Sequence, residues 1–131
     1  MIKLIFIFGL AFISYANAAD WQQIGSDSTR DTYVDYDYLN NKKTKNNLLK
    51  VWQLFDHKKV IAQYAGTPVL STKVLVEIDC LQREAKMTYI VTYPEKMGGG
   101  RQLTASDPGL EKAPIIPDSL YDVFRKTGCP T

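Results

Sequence analysis

Hydrophobic and polar positions alternate most cleanly between Ser71 and Cys80. With a period of two, Thr72, Val74, Val76, Ile78 and Cys80 share one side, and Lys73, Leu75, Glu77 and Asp79 share the other. That pattern predicts a half-buried β-strand whose apolar side ends in a cysteine. Asp31–Tyr38 alternates likewise: Thr32, Val34, Tyr36 and Tyr38 against a wet side of Asp31, Tyr33, Asp35 and Asp37. Leu48–Phe55 is apolar on both faces and predicts a central strand, covered on both sides for part of its length. Ala85–Tyr93 predicts another strand, with Met87, Tyr89, Val91 and Tyr93 on one face and Thr88 and Thr92 on the other. Shorter strands are expected at Trp21–Ile24, Val60–Tyr64 and Arg101–Ser106. Polar or glycine-rich turns separate them: 25–30, 40–47, 56–59, 65–68, 81–84, 94–100 and 107–109. Residues 111–116, which include Pro114, suit an extended crossing segment.

The periodicity then changes. Pro117–Thr127 predicts a helix with Pro117 in its first turn, Asp118 or Ser119 as cap and Asp122 near its positive end. Leu120, Val123 and Phe124 make a stripe at helical spacing, Arg125 and Lys126 fall in the last turn, and Gly128 supplies the stop. A helix of about ten residues is not stable alone in water, so it must pack on the sheet. The expected fold is α+β: an antiparallel sheet of about six strands carrying one C-terminal helix, in a single domain over residues 19–131.

The N-terminus changes the compartment. Lys3 precedes the apolar run Leu4–Ile13, which is too short for a bilayer, and Ala16 and Ala18 give a small-x-small pattern. Residues 1–18 are expected to be a signal peptide cleaved between Ala18 and Ala19, which exports the protein to the periplasm or the medium. No cysteine stands near that junction to carry a lipid anchor, and nothing after Ala18 suits a transmembrane segment. Export exposes Cys80 and Cys129, the two cysteines of the 131-residue chain, to an oxidising compartment, where they are expected to pair. The bond would tie the helix end to the strand Ser71–Cys80.

Formal charge is +2, or about +1 once Lys3 is removed, which is no footprint for nucleic acid. His57 is the only histidine and has neither a histidine partner nor a spare cysteine for zinc. No nucleophile elbow accompanies it. Gly98–Gly100 lacks the following lysine and helix of a phosphate loop. Asp35 and Asp37 share a strand face, where paired carboxylates could serve a small periplasmic hydrolase, but a solvated side explains them equally simply. No cofactor is expected. Lys42, Lys43, Lys45, Lys58 and Lys59 lie in loops that could meet an acidic partner surface. Eight tyrosines, Tyr33 among them, and two tryptophans would give a protein-binding surface if a row of them were exposed on a sheet face.

The order and spacing of several segments resemble the surface-adhesin protein E family. They are Trp21 at the start, Tyr33–Asp35, Val51 and Trp52, and the strand Ser71–Cys80 ending in Glu77, Asp79 and Cys80. Tyr89, Tyr93, then Ile116, Pro117 and Ser119 leading to Cys129, complete the set. The resemblance implies an antiparallel sheet with a C-terminal helix tied on by Cys80–Cys129. It also implies a non-enzymatic envelope or surface protein with a protein ligand, such as an extracellular-matrix or envelope protein, and a homodimer. A structural envelope component is the alternative. Two departures stand out: no lipid-bearing cysteine is present, and Lys112–Pro114 holds no tryptophan where relatives carry one.

Overall fold

The structure, a computed structural model, describes residues 19–36, 39 and 44–130. The expected signal peptide 1–18, Asp37, Tyr38, Lys42 and Lys43 lie outside the described residues. The strands are β1 (Trp21–Ser26), β2 (Arg30–Asp35), β3 (Thr44–Lys45), β4 (Leu48–His57), β5 (Gln63–Tyr64), β6 (Thr67–Pro68), β7 (Ser71–Asp79), β8 (Glu84–Tyr93), β9 (Thr104–Ser106) and β10 (Ala113–Pro114). The C-terminal helix, α1, spans Leu120–Gly128. The main sheet is antiparallel in the order β1-β2-β4-β7-β8-β10, with β3 beside β4 and β9 beside β8; β5 and β6 form a separate hairpin.

The centre follows the alternation. Thr72, Val74, Val76 and Ile78 of β7 are buried, while Lys73, Leu75, Glu77 and Asp79 are partly exposed. In register beside them, Leu49 meets Ile78, Val51 meets Val76 and Gln53 meets Val74. Phe124 of α1 caps this aliphatic layer, joined by Val34, Leu39 and Ala85. On β4, Leu54 points to the opposite face and is also fully buried, so the strand is covered on both sides over part of its length.

Cys80 and Cys129 are bonded, with their Cα atoms 5.8 Å apart. The bond closes a loop of 49 residues, for which chain entropy suggests about 4 kcal/mol of stabilisation. The staple therefore joins the end of β7 to the residue that follows α1.

Several local readings are corrected. Of the expected stripe Leu120, Val123 and Phe124, Phe124 packs on the sheet but Val123 is 52% exposed and Leu120 40%. Tyr121 and Gly128 join Phe124 in facing the sheet. Gly128 sets this rotation, because a Cβ there would lie 2.5 Å from Leu49 Cδ2 and 2.9 Å from Leu39 Cδ1. The helix starts later than Pro117, with Ser119 as its cap accepting from the Asp122 amide.

On β8 the expected single face is split. Leu75 pairs with Tyr89 but Val76 pairs with Met87, so Thr88 is an extra residue in a bulge. Directly paired residues share a face, so Met87 points with Val76 toward the helix while Tyr89, Val91 and Tyr93 point away. The expected loop 40–47 ends in a hairpin. Asn46 and Asn47, both at positive φ, turn β3 onto β4, as the two-residue hairpin turn requires. His57 belongs to the end of β4 rather than to a turn. Of residues 101–106, only Thr104–Ser106 form a strand.

Candidate binding face

Helix α1 covers one face of the sheet. The other face carries Trp21 from β1, Tyr33 from β2, Trp52 from β4, Leu75 from β7 and Tyr89 and Tyr93 from β8. Strand register brings them together: Trp52 is opposite Leu75, and Leu75 is opposite Tyr89, which makes a row across three strands. Each is partly or fully exposed, Tyr89 at 39%. Trp21 stands opposite Asp35 on the neighbouring strand.

A hollow of about 250 Å³ lies among Trp21, Asp35, Trp52, Lys73 and Tyr93, with Ala19 at its rim. The Lys73 ammonium sits 4.8 Å from the Tyr93 ring centre and 5.8 Å from that of Trp21, within cation–π range. Among the described residues no carboxylate forms an ion pair with it.

The glycine loop fixes this lysine. Gly98 has φ +70°, and a Cβ on it would lie 2.6 Å from Lys73 Cε. The loop is docked by its backbone: Gly98 N–H donates to Ser71 Oγ (2.8 Å), Ser71 Oγ–H donates to the Glu95 carbonyl (2.6 Å), and Met97 N–H donates to Asp56 Oδ1 (2.9 Å). Lys96 Nζ donates to the His57 carbonyl. The loop thus closes the far end of this face over Leu54 and leaves the aromatic part open.

The other candidates fall elsewhere. Lys45 is exposed on β3, at the Leu48 end of β4, and Lys59 is exposed beyond the His57 end, so the two basic loops sit at opposite ends of one strand. Lys58 Nζ donates to the Asp27 carbonyl (2.6 Å) and Ser26 Oγ (3.1 Å) and stands 3.6 Å from Asp31, which ties down the β1–β2 turn. In that turn Asp27 Oδ1 accepts from the Thr29 hydroxyl and from the amides of Thr29 and Arg30, which together lower its pKa to about 2. Tyr33 lies in the open aromatic field, and Asp35 lines the hollow.

His57 is buried, with Nε2 2.8 Å from Thr72 Oγ1. Burial, then the nearby Arg30 and Lys96 charges, hold its pKa below the ordinary value. Among the described residues no group of three histidine, cysteine or acidic side chains is placed to hold a metal. A larger hollow of about 440 Å³ lies on the helix face, bounded by the sheet and by Ile115–Tyr121. Its one charged lining residue, Arg30, is stacked over the Phe55 ring at 3.9 Å.

Lys73 is the member of the hollow that sequence reasoning did not single out, while Trp21 and Trp52 were counted among the aromatics but not placed together. All three fall on predicted strands, but only cross-strand register puts them around one hollow. The alternation does place Lys73 on the wet side of β7, and a lysine facing strand tryptophans is the one signal that could have flagged it.

Together, a sheet with one stapled helix and one bare aromatic face defines a disulfide-fastened α+β domain. The chain belongs to the surface-adhesin protein E family, which it matches over residues 21–130. Its fold is similar to solved structures of Haemophilus influenzae protein E. One has 14% identity and a TM-score of 0.54 over 81% of this chain and 91% of that one. A second crystal form gives the same identity and score over 94% of its chain. Protein E from non-typeable Haemophilus influenzae has 10% identity and a TM-score of 0.50 over 82% of each chain. No curated protein sequence matches. Among the described residues no helix is long and apolar enough to cross a membrane.

Proposed function

We propose that this protein is an exported, non-catalytic binding protein that docks a protein partner on its open sheet face. The carrying observation is the row Trp52, Leu75 and Tyr89, flanked by Trp21, Tyr33 and Tyr93, on the face that α1 leaves uncovered. Aromatic side chains held on rigid strands give large contact area at low entropic cost, which is the composition of interface hot spots. Family membership supports an adhesive role, with extracellular-matrix, plasma or envelope proteins as partners. The exposed Lys45 and Lys59 would serve as steering charges at the margins.

The test is binding of the exported protein to immobilised matrix, plasma and envelope proteins. Saturable binding at micromolar concentration, weakened at least tenfold by Tyr89→Ala, is expected. Absence of any such binding would overturn the reading. Export itself predicts an N-terminus at Ala19 in material recovered from outside the cytoplasm; a retained leader would contradict it. The exposed outer edge of β1, along which Gln22–Ser26 are solvent-facing, favours pairing of two copies as a homodimer, which sedimentation would measure. The hydrolase alternative requires turnover on an ester, glycoside or phosphate panel that Asp35→Asn abolishes.

A further inference from the structure

We propose that the hollow on the helix face is a binding site for a fatty acid, a single alkyl chain ending in a carboxylate. It stands apart from the open aromatic face and does not depend on that reading. The hollow lies where the first turn of α1 and the segment Ile115–Ile116 meet β2, β4 and β8. Its volume, about 440 Å³, falls within the ~300–1,000 Å³ of small-molecule sites. The walls are mainly apolar and include Phe55, Ala85, Ile115, Ile116 and Leu120. Ile116 is 72% exposed and Leu120 40%, so an apolar rim faces solvent beside the hollow. An alkyl chain laid along those side chains would take that surface out of water.

Two polar groups select the head of the ligand. Gln53 lines the hollow at 2% exposure, yet among the described residues its side-chain amide forms no hydrogen bond. Neither amide atom is sealed from solvent, so the amide is presented to the hollow. A polar group that deep is costly to desolvate unless a ligand pairs with it. Arg30 is the second group. Its guanidinium stacks on the Phe55 ring at 3.9 Å, which leaves the N–H edge for a ligand. Among the described residues no carboxylate forms an ion pair with it. Phe55 is the next residue after Gln53 on the same face of β4, so the stacked cation lies beside the amide. A carboxylate has two acceptor oxygens, enough for the guanidinium fork and the amide N–H together. Burial raises the pKa of the Tyr121 phenol, so this neighbour stays neutral and no anion of its own competes for Arg30. An alkyl alcohol leaves Arg30 without a counter-charge, an alkylammonium is repelled by it, and a small polar anion makes no use of the apolar walls.

The exported protein is titrated calorimetrically with decanoate below its micelle-forming concentration, with decanol and decylammonium as comparators of equal chain length. Saturable binding of decanoate is expected, with Kd on the order of 0.1 mM, together with a shift of the Gln53 side-chain amide resonance. Decanol and decylammonium should bind at least tenfold more weakly. Arg30→Gln should weaken decanoate at least tenfold and remove its advantage over decanol. Should Arg30→Gln not fold, Gln53→Leu decides in the same titration. That variant should lose at least fivefold in affinity while its melting temperature stays in place or rises, because an amide with no protein partner gives way to apolar volume. A Gln53→Leu variant that melts lower but binds decanoate as before would make the glutamine purely structural and overturn the site. No saturation by decanoate, or equal binding of all three amphiphiles, would overturn it as well. Binding of immobilised proteins to the open face is measured separately, so either reading can fail while the other stands.

Discussion

The two faces of the sheet use apolar residues for opposite ends. The helix face is aliphatic, interlocked and covalently fastened: Leu49, Val51, Val76 and Ile78 are wholly buried beneath Phe124 and the Cys80–Cys129 bond. The opposite face is aromatic and, among the described residues, largely uncovered, with residues 94–100 closing one end. A chain of this size has little core to spare. Leaving two tryptophans and three tyrosines outside that core is destabilising unless the open face has an occupant of its own. The comparison therefore predicts that stability resides on one side and recognition on the other.

The sharpest attempt to break that division is Val76→Asp. A carboxylate on the fully buried side should cost at least about 4 kcal/mol and unfold the protein, whereas Glu77→Val, one position along on the open side, should change the stability measured in urea melts by less than about 1 kcal/mol. Equal losses would dissolve the distinction. Cys80→Ser comes next, with roughly 2–5 kcal/mol lost in thermal or urea melts, a loss that reduction of the native protein should reproduce. Gly128→Ala should cost about 1–3 kcal/mol, because the added methyl collides with Leu49 and Leu39 in a packed site. Trp52→Ala and Tyr89→Ala should do the reverse, weakening partner binding tenfold or more with a smaller effect on the melt.

The smallest effect is a pH dependence that also belongs to the helix face. Arg30, Asp56 and Lys96 face the buried His57, and burial with the two cations keeps it neutral when folded. The unfolded state then binds the extra proton, so stability falls as pH drops below about 6.5, by at most about 1.4 kcal/mol per pH unit. His57→Gln should flatten that slope. A second decline is expected between about pH 4 and 2. There the Asp122 carboxylate takes a proton, having been held at about 2 by the Asp118 amide and by Arg125 and Lys126 against the opposing effect of burial.

How much of this was legible depended on how local the cause was. The faces of β7, the two-sided cover of β4, the C-terminal helix and the bonded cysteines follow from alternation, periodicity and redox context. The bulge at Thr88 was not legible, because its neighbours alternate as though it were absent, and only the pairing of Leu75 with Tyr89 reveals it. The rotation of α1 was misread for a similar reason: its hydrophobic stripe gives way to a contact between Gly128 and a leucine some eighty residues earlier. The open site was legible in composition, as a surplus of tyrosine and tryptophan, but not in place. Its members come from five strands, and Lys73 is held by a glycine loop whose role appears only once it docks.

The bridge between Cys80 and Cys129 also decides how the molecule carries tension. A pull on the last residues enters β7 through two sulfur atoms, so α1 is bypassed and bears none of the load. Rupture would have to begin by sliding β7 against β4 and β8, nine paired positions on either side, and antiparallel strands loaded along their length resist that motion strongly.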